Sequence, residues 1–371
     1  MLNLVSGNRR RGGSKVSVEL IELLKIAVKE QASDIYLKAD TPPIIRKEGN
    51  LIAVSEEKLS PEFLEDLAWH LMGETQKRKF LEYPEVDLIY GVSGVGRFRA
   101  NIYKQRGTVG IVMRRVELKI PTFEELHLPE VMKELVMSNR GLILITGATG
   151  TGKSSTLAAM IDYRNANKEG HIITIEDPIE FIHNDKKSII SQREVGIDTN
   201  SFSEALRYAL RQSPDVIVIG EMRDRDSVQS AIFFAETGHL VLSTLHSVNT
   251  NQTLERIMQF FPPESYTEIY FQLSLNLLAI FSQRLIPKIG GGRVPAVEVL
   301  LASPRIKDLI RRGETDKIKE TIEASTHEGM QTFDQHLFTL YEEGLITMED
   351  ALRYADSRND LRLRIKGFST K

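Results

Sequence analysis

Eight consecutive residues, Gly147, Ala148, Thr149, Gly150, Thr151, Gly152, Lys153 and Ser154, satisfy the pattern G-x-x-x-x-G-K-[ST]. The chemistry of this pattern is anion capture. Its glycines let backbone N–H groups close around phosphate oxygens, and a helix opening at the same point turns its positive end toward them. Lys153 is spaced to reach the β- and γ-phosphates, and the Ser154 hydroxyl to bind Mg²⁺, with Ser155 next in the same turn. The flanks supply the strand–loop–helix context: Leu142–Ile145 reads as a short buried strand, and Ser155 to Ile161 as a helix. The loop is therefore expected to bind a nucleoside triphosphate.

Hydrolysing that triphosphate also requires a metal, an oriented water and compensation of phosphate charge. Carboxylates occur at the ends of two apolar runs. Ile172–Ile175 leads into Glu176-Asp177-Pro178-Ile179-Glu180, where one acid is suited to act as general base. Spacing does not separate Glu176 from Glu180, and a solvated acidic turn is the bland alternative. Val216–Ile219 leads into Gly220-Glu221, the Walker B position, which supports Mg²⁺ directly or through water.

His239 and His246 flank Leu240–Leu245. Their separation of seven is odd, so one unbroken strand sends the two rings to opposite faces, and at least one must lie beyond the strand end if both serve one site. No cysteine or third clustered histidine accompanies them, which argues against zinc. Strand-like runs and the turn between them carry Arg97, Arg99, Arg106, Arg114 and Arg115. They form either a solvated face or a source of arginine fingers that reach another subunit's γ-phosphate.

These residues need a scaffold. All-apolar runs at Leu142–Ile145, Ile172–Ile175, Val216–Ile219 and Leu240–Leu242 alternate with helical stretches, the pattern of parallel strands buried on both faces. Ligands bind such open sheets at the carboxyl ends of the strands. Before Lys119 the grammar differs. Leu20, Ile21, Leu24 and Val28 fall at helical spacing, and Asp34–Lys38 alternates like a strand until Pro42-Pro43. Ser60-Pro61 opens a helix carrying Leu64, Leu67, Ala68 and Leu71. Val86–Tyr90, Gly96–Tyr103 and Thr108–Val116 form an antiparallel meander turning near Gly94 and Gly107. The expected division is a basic flexible tail over 1–15, an α+β domain over 16–119, a linker at 120–122, an α/β core over 123–303 and a helical region over 304–371, with stops at Gly313, Gly329 and Gly344.

Composition bounds the rest. The 371 residues suffice for two cores; 41% are apolar and 27% charged, as in ordinary globular proteins. A net charge of −3 gives no global attraction to nucleic acid. The chain has no cysteine, which excludes disulfides and thiolate metal sites. No apolar run approaches the ~18–20 residues of a membrane span, and no signal-peptide core opens the chain. A cytoplasmic protein with at most peripheral membrane contact is expected.

The blocks GATGTGKSS, TIEDPIEF, SQREVG, VIVIGEMRD and AETGHLVLSTLH, in this order and spacing, resemble the secretion-superfamily hexameric ATPases that drive type IV pili and type II secretion. There they are the Walker A, Asp box, Walker B and His box regions. With RFRANIYKQRG at 97–107, the resemblance extends from about Val16 onward. Assembly and secretion members typically have longer amino-terminal regions and a four-cysteine zinc site. The present sequence is more similar to the retraction branch, the PilT/PilU family. Its tail, MQTFDQHLFTLYEEGLI and DALRYADSRNDLRLRIK, resembles the PilU side of that family, and Arg305–Ile310 departs from the AIRNLI typical of the PilT side.

The resemblance implies a RecA-like P-loop ATPase core with a smaller PAS-like α+β amino-terminal domain and a helical carboxy-terminal extension. It implies a homohexamer using ATP and Mg²⁺, in which hydrolysis changes the domain angle. Glu180 becomes the catalytic base, Glu221 the Walker B acid, and His239 and His246 the His-box pair. Arg99 and Arg114 become the arginines supplied to nucleotide phosphates. The implied partners are an inner-membrane pilus platform protein and a companion PilT-type ATPase, reached from the inner face of the membrane, and the implied output is pilus retraction and twitching motility. A PilT-like primary motor and an assembly or secretion ATPase are the alternatives within the family. A nucleic-acid motor is disfavoured by the acidic balance, and a non-hydrolysing adaptor by the intact Lys153, Ser154, Glu180 and Glu221.

Overall fold

The computed structural model describes residues 12–47, 49–116 and 119–367, and the chain divides into two compact units between Lys119 and Ile120. The first unit runs α1 (Gly12–Lys29), β1 (Asp34–Lys38), β2 (Ile44–Lys47), β3 (Asn50–Ala53), α2 (Pro61–Leu71), α3 (Glu74–Glu82), β4 (Glu85–Val92), β5 (Gly96–Gln105) and β6 (Thr108–Val116). Its strands form one antiparallel sheet in the order β3-β2-β1-β6-β5-β4. The β5–β6 turn is two residues long, Arg106 and Gly107, with φ of 48° and 81°. Positive φ at both centres matches the right-handed twist of the paired strands. Leu20, Leu24, Leu64 and Leu67 from α1 and α2 are buried in one cluster with Phe98, Ile102, Ile111 and Met113 of the sheet. Ser60 Oγ caps α2 by accepting from Phe63 N–H at 3.2 Å.

The second unit contains α4 (Val131–Val136), β7 (Gly141–Gly147), α5 (Lys153–Asn167), β8 (Gly170–Glu176), β9 (Ser188–Glu194), α6 (Phe202–Ala209), β10 (Val216–Ile219), α7 (Arg225–Glu236), β11 (Leu240–Leu245), α8 (Thr250–Met258), α9 (Tyr266–Asn276), β12 (Leu277–Pro287) and β13 (Arg293–Leu301). Five further helices follow: α10 (Pro304–Arg312), α11 (Ile318–Ala324), α12 (Phe333–Glu342), α13 (Met348–Tyr354) and α14 (Arg358–Ile365). The sheet order is β13-β12-β7-β11-β10-β8-β9. Along β7, Leu142 and Leu144 enter one core cluster and Ile143 and Ile145 the other, so both faces are covered. The chain is thus an α/β P-loop core with a smaller α+β PAS-like unit and carboxy-terminal helices.

Four features differ from the sequence reading. Helix α1 begins at Gly12, inside the segment assigned to a tail, while residues 1–11 of that segment lie outside the described residues. Once apolar residues anchor a helix, an added turn gains a hydrogen bond per residue without burying anything. The strands β2, β3, β9, β12 and β13 were not read from the sequence. The last of these runs antiparallel to β12, so the sheet is not wholly parallel. The region after 304 is helical, but it divides: Ile306, Leu309, Ile310, Ile318 and Ile322 pack into the central core, whereas α12–α14 pack with Ile286, Val294 and Ala296 in a separate cluster.

Candidate nucleotide site

At the carboxyl end of β7 the chain turns at Gly147, whose φ is 152° and whose added Cβ would lie 2.7 Å from the Gln283 carbonyl oxygen. Only glycine fits that approach. Gly152 stands at the N-cap of α5 with φ 88°, and no side chain accepts from the first N–H groups of this helix. Those unclaimed donors and the helix dipole favour an anion at this end. Thr151 Oγ1 bridges the loop by donating to Ala148 O at 2.9 Å.

Lys153 is buried at 9% exposure, and Nζ donates to the carbonyls of Gly147 and Ala148, each at 3.0 Å. Burial holds its ammonium below the usual lysine range, with Glu221 and Glu180 pulling in the opposite direction. Its third neighbour is His246 Nδ1 at 3.3 Å. His246 Nε2 lies 3.0 Å from Glu221 Oε1, and Arg223 Nε donates to Glu221 Oε2 at 2.7 Å. Arg223 Nη1 reaches Asp177 at 3.2 Å. With Nδ1 accepting from an ammonium, the imidazole carries its proton on Nε2 and donates to Glu221. A line of groups thus joins the P-loop lysine to the acid after β10 and the acid after β8.

The two Asp-box acids are separated by environment. Glu176 Oε1 accepts from Thr174 Oγ1 at 2.6 Å and from Gln192 Nε2 at 3.1 Å, and burial raises its carboxyl above the usual range. Gln192 Nε2 also donates to Phe181 O at 2.9 Å, so the Glu176–Gln192 pair is tied to the loop that holds Glu180. Glu180 is exposed and makes no side-chain hydrogen bond among the described residues. Both acids line a cavity of about 290 Å³ with Thr149, Gly150, Lys153, Ser154, Glu221 and His246. Gly147, Ala148, Thr151, Gly152 and Ser155 complete the loop and first turn behind that lining.

The sequence profile of the family described as Type II/IV secretion system protein matches residues 110–321. The chain is 51% identical over 350 residues to the type IV pilus ATPase PilU of Pseudomonas aeruginosa, covering 94% of this chain and 92% of that protein. It is 44% identical over 334 residues to the pilus retraction ATPase PilT of the same organism, covering 90% and 97%. The crystal structure of the pilus retraction motor PilT with bound ADP superimposes with a TM-score of 0.87 at 46% identity, covering 92% of this chain and 98% of that one. The chain belongs to the type II/IV secretion ATPase family. Within it, the chain is a type IV pilus retraction ATPase of the PilT/PilU group.

In this ATPase the second unit brings one of the two histidines, not both, to the P-loop. His239 precedes β11, whereas His246 follows it. Seven residues of extended chain separate their positions by roughly 23 Å. His239 Nδ1 lies 3.1 Å from Phe234 O and 3.2 Å from Thr237 Oγ1, and the ring meets Phe234 edge-on, so it closes the end of α7.

Arg99 and Arg114 belong to the first unit, on β5 and β6, and are direct cross-strand partners. Arg46, Asp34, Arg114 and Arg99 make one row across β2, β1, β6 and β5. Arg114 Nε donates to the buried Asp34 Oδ1 at 2.8 Å, and Arg46 Nε lies 3.4 Å from Oδ2. Arg114 thus pairs with Asp34 through Nε, which also offsets the like charge beside Arg99. Arg99 has no carboxylate partner among the described residues.

Four lining or supporting residues escaped the sequence reading as site members: Arg223, Gln192, Thr244 and His183. Thr244 Oγ1 donates to Gly220 O at 2.6 Å and fixes the backbone before Glu221. His183 is buried in the cavity wall, and burial pushes its imidazole down to about 4. Arg223 could have been found from its place two residues after Glu221. Gln192 and His183 carry no local signal.

Proposed function

We propose that this chain hydrolyses MgATP as a homohexamer and converts the energy into type IV pilus retraction, in an accessory role like that of PilU. The observation that carries the hydrolytic reading is the continuous contact from Lys153 through His246 to Glu221 at the mouth of the P-loop. Ser154 and Glu221 suit Mg²⁺, a hard cation that prefers oxygen donors and takes few protein ligands beside phosphate oxygens and water. Among the described residues no group of three or more histidines or acids could by itself hold a metal ion. When bound, Mg²⁺ neutralises charge on the β- and γ-phosphates.

The protein's own groups divide the remaining work. Backbone N–H groups of Gly147–Ser155 hold the phosphates, and the Lys153 ammonium turns from the loop carbonyls to the incoming oxygens. Glu180, exposed and unpaired, accepts the proton of the attacking water as its oxygen bonds to the γ-phosphorus. The bond from that phosphorus to the bridging oxygen breaks, leaving ADP and phosphate. His246 holds Glu221 in place and senses whether Lys153 has moved. Arg99 is the arginine available to a phosphate of a neighbouring subunit.

The ring engages an inner-membrane platform protein from the cytoplasmic side and acts beside a companion PilT-type ATPase. Identity of 51% to PilU along nearly the whole chain supports the accessory reading, and none of the described helices is long and apolar enough to cross a membrane. The test is pilus retraction in cells lacking this protein, with and without the companion ATPase. Accessory action predicts reduced retraction when only this protein is missing, and none from this protein alone. Full retraction by this protein alone would make it a primary motor.

A further inference from the structure

The backbone ladder between β7 and β11 stops at the pair Thr146–Leu245, one residue before Gly147 on one strand and His246 on the other. The contact between Lys153 and His246 lies beyond that last pair, where the parallel ladder no longer sets the distance. Side-chain hydroxyls take over there. Thr253 Oγ1 on α8 lies 2.6 Å from Ser247 Oγ, 3.3 Å from Thr146 Oγ1 and 2.8 Å from Asn249 O. Thr146 Oγ1 lies 2.7 Å from Ser282 Oγ on β12. Thr146, Thr253 and Ser282 are fully buried, and Ser247 nearly so.

A hydroxyl has one proton and two lone pairs, so Thr253 accepts from Ser247 while its proton is shared between Thr146 Oγ1 and Asn249 O. Ser247 then donates to Thr253, and Thr146, which accepts from Thr253, donates to Ser282. Asn249 caps α8, and the next N–H, that of Thr250, donates to the buried Glu298 at 2.8 Å. The hub therefore rests on a fixed helix end.

We propose that Thr253 is a positioning residue for ATP hydrolysis: its hydroxyl ties the end of the P-loop strand to the segment that carries His246. It touches neither nucleotide nor metal and acts through His246. A buried network of this kind fixes one geometry only while every member is paired. Thr253→Val keeps the shape and leaves two hydroxyls without their shared partner.

The test is steady-state ATP hydrolysis by the full-length protein. Thr253→Val should lower kcat about tenfold or more with KM for ATP within about twofold, because the P-loop backbone still holds the phosphates. Thr253→Ser should restore kcat. In a His246→Ala background, Thr253→Val should cost nothing further, since a residue acting through another loses its effect with it. Ser247→Ala, which removes one arm of the hub, should reproduce a smaller kcat loss should Thr253→Val fail to fold. Unchanged kcat in both Thr253→Val and Ser247→Ala, a loss confined to KM, failure of serine to rescue, or full additivity with His246→Ala would each overturn the proposal. The inference rests on the hydrolytic reading of the P-loop. Wild-type turnover in Lys153→Ala would end that reading, whereas a dead Lys153→Ala beside a normal Thr253→Val ends only the role of Thr253.

Discussion

At its carboxyl end β11 delivers His246 between Lys153 and Glu221; at its amino end His239 folds back onto the helix before the strand. The residue type is the same, and so is the strand. In a parallel sheet the carboxyl ends of β7, β8, β10 and β11 gather at one edge, where the P-loop, the Asp box, Glu221 and His246 converge. The amino ends gather at the other edge, where polar side chains close turns and helix ends. Strand direction therefore decides which histidine lies beside the P-loop lysine.

The sharpest way to break this contrast is at the carboxyl edge. Lys153→Ala should lower kcat by about 10²–10³-fold or more by removing a donor to transferring phosphate oxygens. His246→Ala should lower it roughly 10–100-fold, as expected for a group that orients a residue touching metal or substrate. Steady-state hydrolysis rates check both, and a His246→Ala enzyme at full speed would remove the special status of that edge.

Histidines away from the nucleotide should matter to stability instead. Val297 N–H donates to His336 Nδ1 at 2.8 Å, which requires a neutral ring, and burial holds this imidazole down to about 4. The unfolded chain takes the proton near the ordinary value of 6.5, well before the folded one does. Stability from His336 is thus present above pH 6.5 and is lost as pH falls toward 4, by about 3 kcal/mol at the limit. The buried His183 contributes with the same sign. Urea midpoints measured from pH 7 to 4.5 should fall with a slope that His336→Gln reduces by about one proton.

The smallest effect belongs to His239. His239→Ala should cost ~1 kcal/mol of stability through the lost closure of α7, with kcat within about twofold of wild type. Thermal melts and hydrolysis rates on one preparation separate the two. A large kcat loss without destabilisation would place His239 back in the chemistry.

Much of the carboxyl edge was legible in the sequence because its strands are short all-apolar runs ending in Gly147, Glu176 or Glu221. The odd spacing of His239 and His246 showed that they do not share a strand face, but it carries no information about which end lies beside Lys153. β9 was missed because its polar residues, Ser188, Ser191, Gln192 and Arg193, belong to a sheet edge. β12 was missed because Leu277–Phe281 continues the apolar character of α9. The different environments of Glu176 and Glu180 involve Gln192, sixteen residues from Glu176. The pairing that sets Arg114 apart from Arg99 involves Asp34, eighty residues from Arg114. Contacts at such separations have no local signature.

Whether Glu180 acts as the base at the carboxyl edge while Glu176 shapes its loop is checked by comparing ATP hydrolysis by Glu180→Gln with ATP affinity in the same preparation. Glu180→Gln should lose about 10²–10⁴-fold in kcat with ATP still bound near wild-type affinity. Turnover close to wild type in Glu180→Gln, above all beside a dead Glu176→Gln, would contradict it.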